Sequence, residues 1–480
     1  MQLGPISSIL LIASFPICIS GLVIFLSKRF SNKIETFLVA NRNLGLIWSS
    51  ISIAVTWIWA PALFISSQKA YNQGIGGVFW FLVPNSLALV LIGYLSTRVR
   101  KSFKDGFTFP QFIRMKLGNT NGYLYSFVVL IVQLYSIVLH LTAGLLILTS
   151  LTSIKRIYLI LLLAVIFFIL ASFRGIKSAL VTDIFKFLFL TIIVFVVIPA
   201  VIYKSGGLSS ILVGMQEVGG GLSGILNFRV FFTFGIAVSI SLLSAVVIDQ
   251  QQWQRAFSLN EKLGIRPFIY GAIFFASILL MLSSLGFLAA NKNLGIFVET
   301  SQNVGYATIS QIASNIGVIV FVFTLMMSLI AAGASALCAA SSIFVTDIYK
   351  NLEDKKKLRY ARISMLIILS IGIMIALIPN IQIVYLLLLI GALRGALLIP
   401  TILTILGKKL SQKGVSIGII SGISVGLPVF IWGSFVKNAY ISTLGSICSV
   451  LISALVCSII SKYTKYGNPK KSRILQKIVS

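Results

Sequence analysis

The sequence predicts an all-α membrane protein whose helices cross the bilayer many times. Of its 480 residues, 58% are hydrophobic and only 10% are charged, and the mean hydropathy is +1.03. Ordinary soluble domains carry about 25% charged residues. Apolar runs long enough to cross a hydrocarbon core of about 30 Å as helices recur along the whole chain. These observations exclude a soluble globular protein and indicate a single membrane domain over residues 1–480.

About thirteen apolar stretches are long enough to span the membrane, and they leave only short loops with no room for a soluble catalytic domain. Numbered as spans 1 to 13, they are residues 6–26, 44–67, 77–97, 123–150, 157–173, 178–203, 229–250, 267–290, 314–346, 363–379, 383–406, 414–433 and 440–461. The first is an uncleaved helix rather than a signal peptide, because Lys28 and Arg29 follow its apolar run and no basic residue precedes it.

Membrane topology explains the net charge of +29. If the N-terminus is outside and the spans alternate, the basic clusters at 98–104 and 350–362 and the tail at 462–480 all fall on the cytoplasmic side. Basic loops resist translocation, so the pattern predicts an N-out, C-in protein of the cytoplasmic membrane. The lipid bilayer, with its anionic headgroups, is then the partner of these charges, and no nucleic-acid partner is expected.

Two spans carry signals of an interrupted helix. Pro61 in span 2 lacks an amide donor, which frees carbonyls one turn earlier, around Trp57 and Ile58. In span 7, Gly235 and the serines that follow it weaken the helix in mid-membrane. Spans 2 and 7 are five apart and therefore run in opposite directions. Interrupted helices at corresponding positions of inverted halves indicate a secondary transporter with a midplane site. The alternative is that Pro61 only kinks its helix and that the serines of span 7 bond back to carbonyls.

Five segments resemble, in order, the signatures of the sodium:solute symporter family. They are WIWAPALFISSQKAYNQGIGGVFWF, FKDGFTFPQFIRMKLG, RGIKSALVTDIFKF, VIDQQQWQRA and GASALCAASSIFVTDIY. The tryptophans of the first segment, with ISSQKAY and IDQQQWQRA, are most similar to the urea-active transporter branch. The resemblance implies a leucine-transporter-like 5+5 fold. Its parts would be an extra N-terminal helix at 6–26, inverted repeats at 44–203 and 229–406, and two extra C-terminal helices at 414–461.

The resemblance also implies a sodium site between spans 2 and 9. Its carbonyl ligands would fall at Val55 and Ile58, and its two hydroxyl ligands at Ala331 and Ala332. Methyl groups cannot supply the oxygen ligands that a hard cation prefers, so coupling to Na⁺, coupling to H⁺ and no coupling all stay open.

Polar neighbours of this site extend the ion-coupling prediction. Ser328 and Ser335 lie on the same helix face as the two alanines and are expected to substitute for them in part. The TD motif of span 6 implies that Asp183 borders the ion path, and Lys186, three residues later, is close enough along the helix to pair with it.

Substrate-binding or gating positions are predicted on spans 2, 4, 7 and 11. They are Trp57, Trp59, Pro61, His140, Ser241, Ser244, Ala245, Asp249, Gln250 and Arg394. Asp249 and Gln250 are expected to form an inner gate, with a proton site as the alternative. His140 is either a hydrogen-bonded core residue or a proton carrier. Arg394 is expected to face a cavity, where it would be the counter-charge of any carboxylate substrate.

We therefore expect a secondary transporter that moves a small polar organic solute, such as a urea-like compound, by alternating access. Na⁺ or H⁺ would be the coupling ion, and no other cofactor is expected. An uncoupled channel-like facilitator and a sensor with a transporter fold are the alternatives. An enzyme is not expected: a zinc hydrolase, for example, needs a cluster of ligands that one histidine and scattered cysteines do not provide.

Overall fold

The computed structural model describes residue 21 and residues 38–174, 176–219, 221–348, 353–379 and 382–464. Almost all of predicted span 1, and the tail beyond residue 464, lie outside this part of the chain. The described residues fold into helices joined by loops. These helices, α1 to α17, are Leu46–Trp57, Ala60–Ser102, Phe109–Leu151, Arg156–Arg174, Ile176–Ile192, Ile198–Lys204, Leu208–Gly219, Phe228–Val230, Ile236–Ile248, Gln250–Ser258, Arg266–Ala290, Val304–Ile312, Asn315–Ile343, Asp354–Ala376, Ile383–Ile405, Gln412–Phe435 and Ala439–Tyr463.

Spans 2 to 13 each correspond to a helical segment, as predicted. Within the described ranges, ten helices are long and apolar enough to cross a membrane. Their outer faces are apolar: Phe195 is 67% exposed, Leu455 60% and Val165 54%. In water such surfaces would be large unpaired patches, whereas in a bilayer they contact lipid. The chain is a multi-pass membrane protein.

A glycine allows α2 to serve as parts of two spans. Gly74 has φ +61° and ψ −153°, and it separates the end of span 2 from span 3. α3 turns in the same way at Gly118, where φ is +81°. Residues with a Cβ atom disfavour these backbone angles, so glycine is the residue that permits both turns at low cost.

The loops gather at two opposite ends of the helix bundle, as alternating spans require. At one end Leu44 bridges to Leu259, and Arg100 donates to the carbonyl oxygen of Leu259 at 2.5 Å. At the other end Gln68 donates to Ser301 at 3.1 Å. We call the first the basic end, because it carries the cluster at residues 98–104.

The helices α16 and α17 pack by direct backbone contact. A Cβ on Gly422 would lie 2.5 Å from the carbonyl oxygen of Ser449, and one on Gly426 would lie 2.6 Å from the Ser449 amide nitrogen. The Ser449 hydroxyl donates across to Ala392 of α15 at 2.5 Å. Small residues at such contacts let membrane helices approach closely and hydrogen-bond to each other.

Replacing Gly426 by alanine should therefore destabilise the helix pair. The new methyl group has no space against the Ser449 backbone, and overpacking of this kind typically costs about 1–3 kcal/mol. Thermal unfolding of the detergent-solubilised protein measures the effect as a lower Tm. Ser424→Ala, on the exposed face of the same helix, is the control and should leave the Tm unchanged. Equal Tm values for the two variants would contradict the packing account.

Candidate functional site

The helix of span 2 is broken at Ile58 and Trp59. α1 ends at Trp57 and Ile58 has ψ +81°, while Trp59 is extended, with φ −102° and ψ −177°. Pro61 lies in the first turn of α2, where a missing amide is tolerated. The interruption predicted from Pro61 is confirmed, and it is a full break rather than a kink.

The break redirects backbone hydrogen bonds and leaves oxygens open. The amide of Trp59 donates to the carbonyl of Trp57 at 3.0 Å, and that of Ala62 donates to the carbonyl of Trp59 at 3.0 Å. In a continuous helix these two amides would have reached the carbonyls of Val55 and Ile58; here the Val55 carbonyl accepts from the backbone only a shared bond from the Ile58 amide, at 3.2 Å. Inside a membrane protein such oxygens need another partner.

A lysine side chain supplies that partner. The ammonium of Lys186, on α5, donates to the carbonyl oxygens of Val55 at 2.6 Å and of Ile58 at 2.5 Å. The lysine is only 1% exposed. These oxygens are the ones expected to hold sodium, so a covalently attached cation lies where a free cation was predicted.

The remaining residues of the predicted sodium site do not complete it. Ala331 and Ala332 are buried on α13, at 3% and 5% exposure. The Ser328 hydroxyl is buried without a hydrogen-bond partner in the described residues, and the Ser335 hydroxyl accepts from Arg255 at 2.9 Å. The resemblance implies a sodium ion at this site, but the residues present do not fit one.

Asp183 pairs with an arginine of α10 rather than with Lys186. Its carboxylate lies 3.3 Å from the Arg255 guanidinium and accepts from Ser52 at 2.8 Å. The structure shows no Asp183–Lys186 ion pair within 4.0 Å, so the pairing expected along the helix is wrong. Lys186 binds carbonyl oxygens of α1 and Asp183 binds the arginine of α10. These partners are preferred over an Asp183–Lys186 pair.

A small cavity lies beside the break and brings many of the predicted residues together. It is lined by Thr56, Trp57, Trp59, Val132, Tyr135, Ser136, His140, Ala245, Asp249, Gln251 and Arg394. The space between these residues, counted together with its open side, is about 370 Å³. The lining side chains come from α1, α3, α9, α10, α15 and the segment between α1 and α2.

Span 7 breaks at Asp249 and not in mid-span as predicted. α9 continues through Ser244, whose hydroxyl donates to the Ser241 carbonyl of the same helix at 3.1 Å. The helix is continuous over Ile236–Ile248, so the back-bonded hydroxyl is tolerated without a break, and Gly235 only ends a π-helical turn, Phe231–Gly235. The chain then leaves the helix at Asp249, which caps α10 by accepting from the Gln251 amide at 3.0 Å.

Asp249 and Gln250 face different surroundings. The Asp249 carboxylate lines the cavity and accepts from Gln133 at 3.1 Å. Gln250 instead accepts from the amide of Phe109 at 3.0 Å. Nearby, Trp253 stacks on Phe109 with ring centroids 4.4 Å apart. Gln250 therefore belongs to the packed layer between the cavity and the basic end, not to one network with Asp249.

The hydrogen bonds of His140 indicate that its imidazole ring is neutral. Its Nδ1 lies 2.5 Å from the carbonyl oxygen of Ser136, and its Nε2 lies 3.4 Å from the amide nitrogen of Ala60. A carbonyl only accepts and an amide only donates, so Nδ1 carries the proton and Nε2 does not. Both nitrogens are engaged in the neutral ring.

Three buried donors in the cavity have no hydrogen-bond partner among the described residues: Trp59 Nε1, the Tyr135 hydroxyl and Arg394 Nε. The far side of Arg394 is anchored, because its Nη2 donates to the Ser241 hydroxyl at 3.0 Å. Ser241 therefore positions Arg394. Unpaired buried donors cost about 1–3 kcal/mol each, and a bound solute would relieve that cost.

Sequence reasoning missed Tyr135, Ser136, Gln251 and the role of Arg255. Ser136 lies one turn before His140 on α3, and Tyr135 and Ser136 lie three and four residues after Val132, which also lines the cavity, so helical spacing was a signal for this face. The position of Arg255 against Asp183 depends on tertiary packing and leaves no local signal.

The match to a family model covers most of the chain. The model of the sodium:solute symporter family matches residues 37–422. Relatives include the "Probable urea active transporter 1" of Schizosaccharomyces pombe, 24% identical over 84% of this chain and 67% of its own length. The "Urea active transporter" of Saccharomyces cerevisiae is 24% identical over 87% and 62%. The "Urea-proton symporter DUR3" of Oryza sativa subsp. japonica is 22% identical over 88% and 64%. The chain thus spans about two thirds of the length of these relatives.

Solved structures show the fold. A Na⁺-coupled sialic acid symporter aligns with a TM-score of 0.74 at 16% identity, over 96% of this chain and 99% of that one. Mhp1, a nucleobase-cation-symport-1 family transporter, aligns with a TM-score of 0.58 at 12% identity, over 92% and 99%. The predicted leucine-transporter-like fold is confirmed. By the family match over residues 37–422, the chain belongs to the sodium:solute symporter family.

Proposed function

We propose that the protein is a secondary transporter that moves a small neutral, urea-like solute by alternating access. The observation that carries the proposal is the set of unpaired donors, on Trp59, Tyr135 and Arg394, in one small cavity with the Asp249 carboxylate. The names of the relatives, urea active transporters and a urea-proton symporter, support the same solute class.

The chemistry of the cavity matches a urea-like molecule. Its carbonyl oxygen would accept from Tyr135, Trp59 or Arg394, and its N–H groups would donate to Asp249. The arginine and the aspartate balance each other in charge, and His140 is neutral. A neutral solute therefore leaves no uncompensated charge, whereas a carboxylate solute with Arg394 as counter-charge would add one.

The positions of the two helix breaks support alternating access. The breaks at Ile58–Trp59 and at Asp249 lie beside the cavity, each in the first helix of a proposed inverted repeat, 44–203 and 229–406. Towards the basic end, the Trp253 stack and the Arg255–Asp183 pair close the path. Rocking of the repeats would separate these contacts and open the cavity to that side.

Uptake by purified protein in lipid vesicles tests the function. Labelled urea should accumulate above its external concentration when an ion gradient is imposed, and unlabelled acetamide should compete while glucose should not. Equilibration without accumulation would replace the coupled carrier by a facilitator. Absence of uptake, together with no rise in Tm on addition of urea, would overturn the proposed solute class, because a bound solute raises apparent stability.

Removing the unpaired hydroxyl should weaken solute binding. Tyr135→Phe deletes a donor worth about 0.5–1.5 kcal/mol, so the KM for urea uptake should rise roughly 2- to 12-fold. Tyr125→Phe on the same helix is the matched control, since its hydroxyl bonds to Thr401 at 2.7 Å outside the cavity. The control should lower the Tm, because a buried hydrogen bond is lost, and should leave the KM for urea nearly unchanged. A larger KM effect from Tyr125 would contradict the assignment.

Neutralising the carboxylate should affect uptake more strongly. Asp249→Asn keeps an oxygen that can cap α10 but loses a charged acceptor, worth about 1.5–3 kcal/mol. We expect the KM for urea to rise about tenfold or more with a nearly unchanged Tm. Glu217→Gln, at the end of the bundle opposite the basic end, is the control and should transport normally. Normal uptake by Asp249→Asn would remove this residue from the site.

A further inference from the structure

We infer that Lys186 takes the place of the sodium ion in this chain, so that solute transport proceeds without sodium. The inference rests on the proposed transport function. It starts from the ammonium nitrogen, which lies 2.6 Å from the carbonyl oxygen of Val55 and 2.5 Å from that of Ile58. These two oxygens are the half of a sodium site that the broken helix would contribute.

The ammonium and a sodium ion would compete for the same oxygens. Like charges repel steeply at contact distance in a site of low polarity. A sodium ion could bind these carbonyls only if the lysine side chain moved away. The lysine is 1% exposed, so its charge would then lose its hydrogen-bond partners inside the protein. The geometry therefore favours the tethered cation.

The other half of the site has changed in the same direction. A sodium ion takes its remaining ligands from side-chain oxygens, and Ala331 and Ala332 have none to offer. Of the two serines expected to substitute for them in part, Ser335 already accepts from Arg255, which leaves the Ser328 hydroxyl alone. The lysine on α5 and the alanines on α13 are separate observations, and each by itself disfavours sodium.

Lys186 is a positioning residue in this account. It joins α5 to the broken helix and holds the carbonyls that a free cation would otherwise hold. One turn earlier, Asp183 binds Arg255 of α10 at 3.3 Å. The two side chains together connect α5 to α1, before the first break, and to α10, after the second.

Replacing external sodium tests the inference on the unmodified protein. Labelled urea uptake into vesicles should be the same, within twofold, in sodium, potassium and choline media. The Tm of the detergent-solubilised protein should be equal in NaCl and KCl. A sodium-specific rise in Tm, or uptake that falls more than fivefold without sodium, would overturn the inference. The Tm comparison needs no solute, so it stays informative even if urea is not transported.

Variants then test the lysine itself. Lys186→Met keeps the length and removes the charge, and uptake should fall at least tenfold in every medium. Lys204→Met, exposed on the neighbouring helix α6, is the control and should transport normally. Adding Ala331→Ser and Ala332→Thr to Lys186→Met should give a Tm that rises with NaCl but not with KCl.

The same two hydroxyls in the presence of Lys186 form the decisive comparison. Ala331→Ser with Ala332→Thr should show no sodium-specific change in Tm, because the ammonium still holds the carbonyls. If this double variant gains sodium dependence as strongly as the triple variant, Lys186 does not occupy the cation position. If Lys186→Met and the triple variant do not fold, a sodium-specific rise in the Tm of the double variant above that of the unmodified protein would still overturn the inference.

Discussion

Backbone oxygens freed by a helix break in the membrane interior must find donors, and this constraint organises the centre of the molecule. Water is scarce there, so each unpaired carbonyl is expensive. The ammonium of Lys186 meets the need of Val55 and Ile58. Because the lysine is committed to them, Asp183 is left to Arg255. The ion pair in turn brings α10 against α5 and helps to close the basic end.

The cavity follows a different rule from the carbonyl cluster beside it. In the cluster every charged group has a protein partner, which favours a fixed arrangement. In the cavity the donors of Trp59, Tyr135 and Arg394 are held in place but lack partners. A solute that enters such a site gains affinity by accepting hydrogen bonds from donors that have no partner in the protein. The carbonyl cluster and the cavity lie close together because both adjoin the break at Ile58–Trp59.

Much of the fold could be predicted from the sequence because its causes are local. Apolar length determined spans 2 to 13, and Pro61 identified the break of span 2. The site was less predictable. Gly235 and Ser244 suggested a break in the middle of span 7, but the helix is continuous over Ile236–Ile248 and the break lies at Asp249. The spacing of Asp183 and Lys186 suggested a pair that other helices disrupt. The second outcome depends on which distant group competes best for a side chain, and one helix does not contain that information.

The covalent attachment of the Lys186 ammonium has a thermodynamic consequence. A sodium ion that enters on one side and leaves on the other delivers the free energy of its concentration difference to the cycle. An ammonium bonded to the polypeptide never crosses, so its position returns unchanged after each turnover and contributes no net work. Any uphill movement of solute must then be driven by a proton or another charge that crosses the membrane.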